Sequence, residues 1–288
     1  NKILIFNFVQ VGIKKFKPTT PWRRWMTGNT FEEITTSTPY RALTVSLKKH
    51  SGRNNTWRIT VRHQWGGHAK KYRLVDFFYT DKKSIPAKVE TIEYDPYRTA
   101  WISLVCYKDW ERRYVVAHKD MKVGDVIITE DNAALVPGNR LLVSNIPAGM
   151  PIYNVELIVG QWASSVRSAW SYAVVVSQEW EYTQVKMPSW EIRLVNKKCY
   201  ATIGQVSNPD NNQITIGKAW RTRHMWIRPT VLGKSMNPVD HPHWGWEGHA
   251  PIWMKAPKTP WWKVALWKKT RSKKKFTNRW ILKSRHWK

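Results

Sequence analysis

Carboxylates are scarce in this chain. Its 288 residues hold twenty Asp and Glu against forty-eight Lys and Arg, so hydrolysis by a pair of carboxylates has little material to work with. Cysteine is scarcer still: Cys106 and Cys199 stand far apart, and neither has a second cysteine at metal spacing. They read as two small buried hydrophobes in a reducing compartment, with no ligand set for a cysteine zinc site. No apolar run approaches the span of a membrane helix. The apolar start, Ile3 to Val11, is too short and too weakly basic at its front for a secretory signal, and reads as an upstream extension without an assigned role. A Gly-x-x-x-x-Gly-Lys-Ser/Thr phosphate loop, a His-Glu-x-x-His pair and a Gly-x-Ser-x-Gly elbow are all missing.

Positive charge and tryptophan are what the chain has in quantity. A formal net charge of +28 opposes compaction unless a polyanion offsets it. Acidic lipid would serve, but with no membrane-length segment nucleic acid is the better partner. The twenty tryptophans allow a surface that stacks on bases or sugars. Their placement argues against that: Trp65 precedes Gly66-Gly67, Trp244 and Trp246 flank Gly245, Trp110 lies between Asp109 and Glu111, and Trp190 follows Pro188-Ser189. These are turn contexts.

Along the chain, residues 1–45 form a basic arm, with Lys14, Lys15, Lys17, Arg23 and Arg24 among prolines that interrupt regular structure. Residues 46–134 turn to strand patterns: Ala42–Leu47, Trp57–Arg62, Tyr72–Phe78, Lys88–Tyr94, Ala100–Tyr107 and Arg113–Ala117 alternate or run β-branched and aromatic. Short strands at this spacing suggest a small closed barrel, which removes its own edges. Arg58, Arg62, His63, His68, Lys70, Lys71 and Arg73 crowd one expected hairpin. Residues 135–212 repeat the strand composition at Asn139–Val143, Pro151–Val159, Ser171–Val176, Tyr182–Met187 and Glu191–Val195, with Arg167 in a loop. From 213 to 288 the strand signal fades and the charge rises through Lys218, Arg221, Arg223 and Arg228 to a basic end with Lys268, Lys269, Arg271, Lys273, Lys274 and Lys275. Both arms should order only on a polyanion. The fold class expected is all-β, two barrels with basic extensions at both ends.

One late stretch organises the rest: Met236-Asn-Pro-Val-Asp-His-Pro-His-Trp-Gly-Trp-Glu-Gly248. Two prolines fix its backbone, and Asp240 stands beside His241 and His243. Zinc held by these groups with His249 is a weak reading of a His-x-His pair in an irregular loop. A general base at His241 oriented by Asp240 is the enzymatic reading. Donation to RNA phosphates and stacking on bases is the third.

The stretch resembles the signature of the large-subunit ribosomal protein L-two family, with Trp244 and Trp246 where that family has glycine. The resemblance continues in order through Lys14–Pro21, Gly52–Asn55, Arg58–His63, Ile92–Pro96, Asn145–Pro147, Arg167–Ala169, Ala201–Val206, Arg228–Val231 and Lys269–Arg271. It implies an OB-fold barrel over 46–134, an SH3-like barrel over 135–212, and rRNA contacts that add Arg53, Asn54, Asn55 and Asn237 to the cations above, with Asp240, His241 and His243. It implies no cofactor and no metal. The expected partners are large-subunit rRNA, neighbouring ribosomal proteins, the small subunit across the interface and tRNA nearby, in a cytoplasmic or organellar ribosome near the peptidyl-transferase centre. An RNA-processing enzyme using Asp240 and His241, and a Trp-rich carbohydrate-binding module, are the rivals. Most of the tryptophans, including Trp22, Trp25, Trp57, Trp162, Trp170, Trp220, Trp226, Trp253, Trp262 and Trp267, also fall where the family has glycine, whereas Trp261 matches a family tryptophan. A source that reads UGA as glycine would produce this pattern when its gene is translated with UGA as tryptophan.

Overall fold

β-Branched runs between tight turns build the sheets. The computed structural model describes residues 12–245, 252, 254–266 and 269–285. It divides into two compact units: 1–48, 68–218 and 279–288 in the first, 49–67 and 219–278 in the second.

The first unit opens with an antiparallel hairpin of β1 (Ile13–Lys15) and β2 (Thr27–Asn29), followed by a second pair, β3 (Thr44–Ser46) with β4 (Lys71–Arg73). Then β5 (Ala87–Glu93), β6 (Ile102–Tyr107), β7 (Arg112–Val116) and β8 (Val126–Ile127) form an antiparallel sheet in the order β7-β6-β5-β8. Almost every residue of β6 is buried, so it reads as a continuous apolar run. β5 alternates until a bulge between Val89 and Thr91 changes its phase, turning Ile92 inward.

The second sheet takes β9 (Arg140–Leu142), β10 (Pro151–Tyr153), β11 (Ala173–Gln178), β12 (Tyr182–Lys186), β13 (Ile192–Asn196) and β14 (Tyr200–Ile203). A last strand from the far end, β15 (Ile281–Lys283), completes it in the order β15-β13-β12-β11-β10-β14-β9. Inside it lie Leu141, Ile152, Val155, Val175, Val185, Val195 and Ile203, all nearly inaccessible to water. Each such side chain contributes about 1.5–3 kcal/mol by leaving water. Cys199 belongs to this core, and burial pushes its thiol up to about 12.

Several carboxylates in this unit are paired with structural cations. Arg113 gathers Asp76 at 2.8 Å, Asp81 at 2.5 Å and Glu111 at 2.7 Å. Arg112 holds Glu90 in a two-point pair, and Arg98 meets the buried Asp95 at 2.5 Å. Deepest of all, Arg140 meets Glu156 at 2.5 Å with both side chains 2% exposed or less. Glu93 accepts from Tyr114 and Thr91, and burial raises its pKa.

The second unit has little regular structure: a short helix, α1 (Ala219–His224), and single bridges joining Arg53 to Ile59, Gln64 to Ile227 and Lys258 to Val264. The strand expected over Trp57–Arg62 is not formed. The Asn54 side chain accepts from the Thr56 and Arg58 amides, and the Gly52 carbonyl from those of Thr60 and Val61. Amides satisfied locally in this way are withdrawn from a strand ladder. Gly52 is required there: at φ +76° an added Cβ would meet the Val61 carbonyl oxygen at 2.1 Å. The helix α1 and the strand β15 were not anticipated from the sequence.

Candidate nucleic-acid interface

By sequence, the second unit carries four Lys and Arg in 49–67 and thirteen in 219–278, against two carboxylates, Asp240 and Glu247. Cation density this high with so few internal anions calls for an external one.

Aromatic rings and backbone hold these cations in place. The Arg223 guanidinium lies 5.1 Å from the Trp65 ring. Arg62 lies 5.2 Å from the Trp261 ring. The Arg228 amide donates to the His63 carbonyl at 3.1 Å, and the Arg53 guanidinium donates to the Ser51 carbonyl at 2.7 Å. Between these segments runs an open groove of about 420 Å³, lined by Arg53, Ile59, Arg62, His63, Arg228 and Met236 among others. Its cationic rim over an apolar floor suits phosphates at the edge and a base inside. Within the basic run, Asn278 donates to the Ser272 and Lys273 carbonyls and accepts from Arg271, leaving Lys273, Lys274 and Lys275 facing solvent.

The two histidines pack with ring centres 5.5 Å apart. His241 Nδ1 accepts from the His243 amide at 3.0 Å, which leaves the proton on Nε2. His243 is buried, and its Nε2 accepts from the Lys258 amide at 2.6 Å. Gly233 makes room for this pair: a Cβ there would meet the His241 ring at 2.7 Å. Burial, then His243 and Arg62, lower the His241 pKa, which favours the neutral ring. Asp240 is exposed, and among the described residues no hydrogen bond joins its carboxylate to either ring. The base–orienter pair of the enzymatic reading is therefore not assembled. No cluster of three His, Cys, Asp or Glu able to hold a metal occurs among the described residues.

The other residues singled out in the sequence fall as follows. Lys14, Lys15, Lys17 and Arg24 are exposed on the first hairpin and the turn within it, while Arg23 is half-buried over Phe16 at 5.6 Å. Asn55, Arg58 and Arg62 are exposed, and Arg53, Asn54 and His63 half-buried. The hairpin expected to unite Arg58 with Lys71 does not exist, because Arg58, Arg62 and His63 lie in the second unit while His68, Lys70, Lys71 and Arg73 lie in the first. Arg73 departs further from expectation: it is buried, its guanidinium donating to the Lys71 carbonyl, and does not face solvent. Arg167 stacks on Phe77 at 4.4 Å, and burial with the nearby Arg98 lowers its pKa. Lys218, Arg228, Asn237, Lys269 and Arg271 are exposed, and Arg221 and Arg223 half-buried. Lys268, Trp246 and His249 lie outside the described residues. Sequence reading missed the Arg223–Trp65 stack and the Asn278 clasp, since both depend on contacts made only after folding.

Residues 40–129 match the family described as Ribosomal Proteins L2, RNA binding N-terminal domain, and residues 136–262 match Ribosomal Proteins L2, C-terminal domain. The matches run through both curled sheets, which are the OB-fold and SH3-like barrels expected from the sequence. The chain therefore belongs to the ribosomal protein L2 family, whose members are structural, rRNA-binding constituents of the large ribosomal subunit.

Proposed function

We propose that this protein braces the rRNA of the peptidyl-transferase region, supports tRNA binding and helps hold the subunits together, acting as a scaffold and not as a catalyst. The division of labour is that barrels within 46–134 and 135–212 supply rigid bodies, while 1–45, 213–288 and the segment 49–67 supply RNA contacts. The tRNA and the small subunit are its further neighbours, in a cytoplasmic or organellar ribosome. One observation carries most of this reading: seventeen Lys and Arg face two carboxylates over 49–67 and 219–278. A second supports the scaffold role. His241 spends its one free lone pair on the His243 amide, so it has none left to accept a proton from a substrate.

The test is the salt dependence of binding to large-subunit rRNA. Replacing Lys273, Lys274 and Lys275 with Gln should flatten the slope of log affinity against log salt by about 2, near 0.7 per lost phosphate contact. An unchanged slope would remove these residues from the interface.

A further inference from the structure

Six tryptophans hold a backbone conformation that bulky L-residues rarely take. Trp246, Trp253, Trp267 and Trp287 lie outside the described residues. Of the remaining sixteen, Trp57, Trp110, Trp170, Trp190, Trp226 and Trp262 have φ between 59° and 68°. Positive φ occurs in a few per cent of non-glycine residues, mostly Asn, Asp and His. Nine of the thirteen described glycines show it. In this trait tryptophan behaves as glycine does.

The hydrogen bonds sharpen the likeness. Four loops share one pattern, in which residue i donates to the carbonyl of i+4 and the amide of i+3 returns to the carbonyl of i. In the β6–β7 loop these are Tyr107 to Glu111 at 3.0 Å and Trp110 to Tyr107 at 2.9 Å; in the β12–β13 loop, Met187 to Glu191 and Trp190 to Met187, both at 2.9 Å. Asn54 with Arg58 and Trp57, and Thr259 with Lys263 and Trp262, repeat it at 2.7–3.1 Å. This is the turn closed by a G1 bulge, whose left-handed position is glycine's. Trp226 follows α1: its amide donates to Arg223 at 2.9 Å and that of Ile227 to Thr222 at 3.4 Å. Those two bonds make a Schellman cap with Trp226 at the residue that glycine usually fills.

Packing gives most of these indoles no reason to be there. Trp57, Trp110, Trp190 and Trp262 are mostly exposed. Trp101 shows the contrast: it is buried, lacks positive φ, and its Nε1 donates to Glu33 at 2.7 Å.

The geometry points to glycine at these six positions in the protein as its source makes it. The gene would carry UGA there, one base from the glycine codon GGA, and the source's tRNA would insert glycine at UGA. Trp101 would be encoded by UGG. This inference is independent of the proposed function.

Peptide mass spectrometry of the protein from its native cells is the test. The expected result is glycine at 57, 110, 170, 190, 226 and 262, each such substitution lightening its peptide by the difference between an indolylmethyl group and the hydrogen that replaces it, with tryptophan retained at 101. Tryptophan at the two hairpin positions, 110 and 190, would overturn the inference. A recombinant comparison gives a second readout. Trp110→Gly and Trp190→Gly should each raise the urea midpoint of the full chain, whereas Trp101→Gly should lower it. A fall in midpoint for both loop variants would also overturn it.

Discussion

Replacing Glu156 with Gln tests the deepest electrostatic feature of the protein. The change keeps the side chain's size and an acceptor for the Tyr200 amide, now 3.1 Å from Glu156, but removes the charge that answers Arg140. That guanidinium is 2% exposed, so water cannot take the carboxylate's place. Breaking a buried pair from one side costs about 3–5 kcal/mol. Arg140 keeps other contacts: the Asn154 carbonyl at 2.8 Å, and the rings of Tyr79 and Tyr200 at 4.9 and 5.8 Å. Desolvated cation–π contacts are worth about 2 kcal/mol, so the loss should fall at the low end, about 3 kcal/mol. Removing both charges, with Arg140→Met and Glu156→Leu together, should be close to neutral, because the desolvation cost disappears with the attraction. Hydrogen exchange of the β9 and β14 amides reads this locally and avoids treating a two-unit chain as two-state. A cost below about 1 kcal/mol for Glu156→Gln, or a double variant weaker than the single one, would refute the account.

Two further outcomes follow from the histidines. Burial lowers the His118 pKa in the first unit, and burial with His243 and Arg62 lowers that of His241 in the second. Below about pH 6.5 the unfolded chain takes up protons that the folded rings refuse, so both units should lose stability on acidification until the folded pKa values are passed; urea midpoints that do not fall between pH 7.5 and 5.5 would contradict this. His241→Ala should impair large-subunit assembly while fully assembled particles keep their single-turnover peptidyl transfer, and a loss of about 10²–10⁴-fold in that step would instead establish acid–base work.

How much of this was legible depended on how local the signal was. The strands β5, β6, β7, β11, β12 and β13 are written in β-branched runs bounded by turn residues, and they form where the pattern puts them. Trp57–Arg62 carries the same alternation but has its amides taken by Asn54 and Gly52, a competition that periodicity does not register. At six residues α1 is too short to show a helical period, and β15 depends on β13, some ninety residues earlier. The cations of the interface were visible from composition alone. The burial of Arg73 was not, since an inward arginine in a basic hairpin looks like its neighbours until the Lys71 carbonyl is seen beside it. The neutral tautomer of His241 rests on one hydrogen bond, from the His243 amide, which no sequence pattern announces.

Charge segregation leads to a prediction that separates folding from binding by sign. In the first unit a set of carboxylates sits on Arg113, Arg112, Arg98 and Arg140. In 49–67 and 219–278, seventeen cations share two carboxylates. Seventeen like charges form on the order of a hundred pairs, each costing roughly 0.2–0.4 kcal/mol at 10–20 Å in water before screening. That sum exceeds the 5–15 kcal/mol that typically holds a domain, so this unit should be marginal alone at low ionic strength. Salt shortens the screening length from about 30 Å at 0.01 M to about 3 Å at 1 M, and should therefore stabilise the unit in free protein while weakening its hold on RNA. Hydrogen exchange on RNA-free protein should slow at the 49–67 and 219–278 amides as salt rises, with little change in β5 and β6. Exchange there that is indifferent to salt, or faster in it, would mean that internal contacts already balance the repulsion and that the cations have no need of a polyanion.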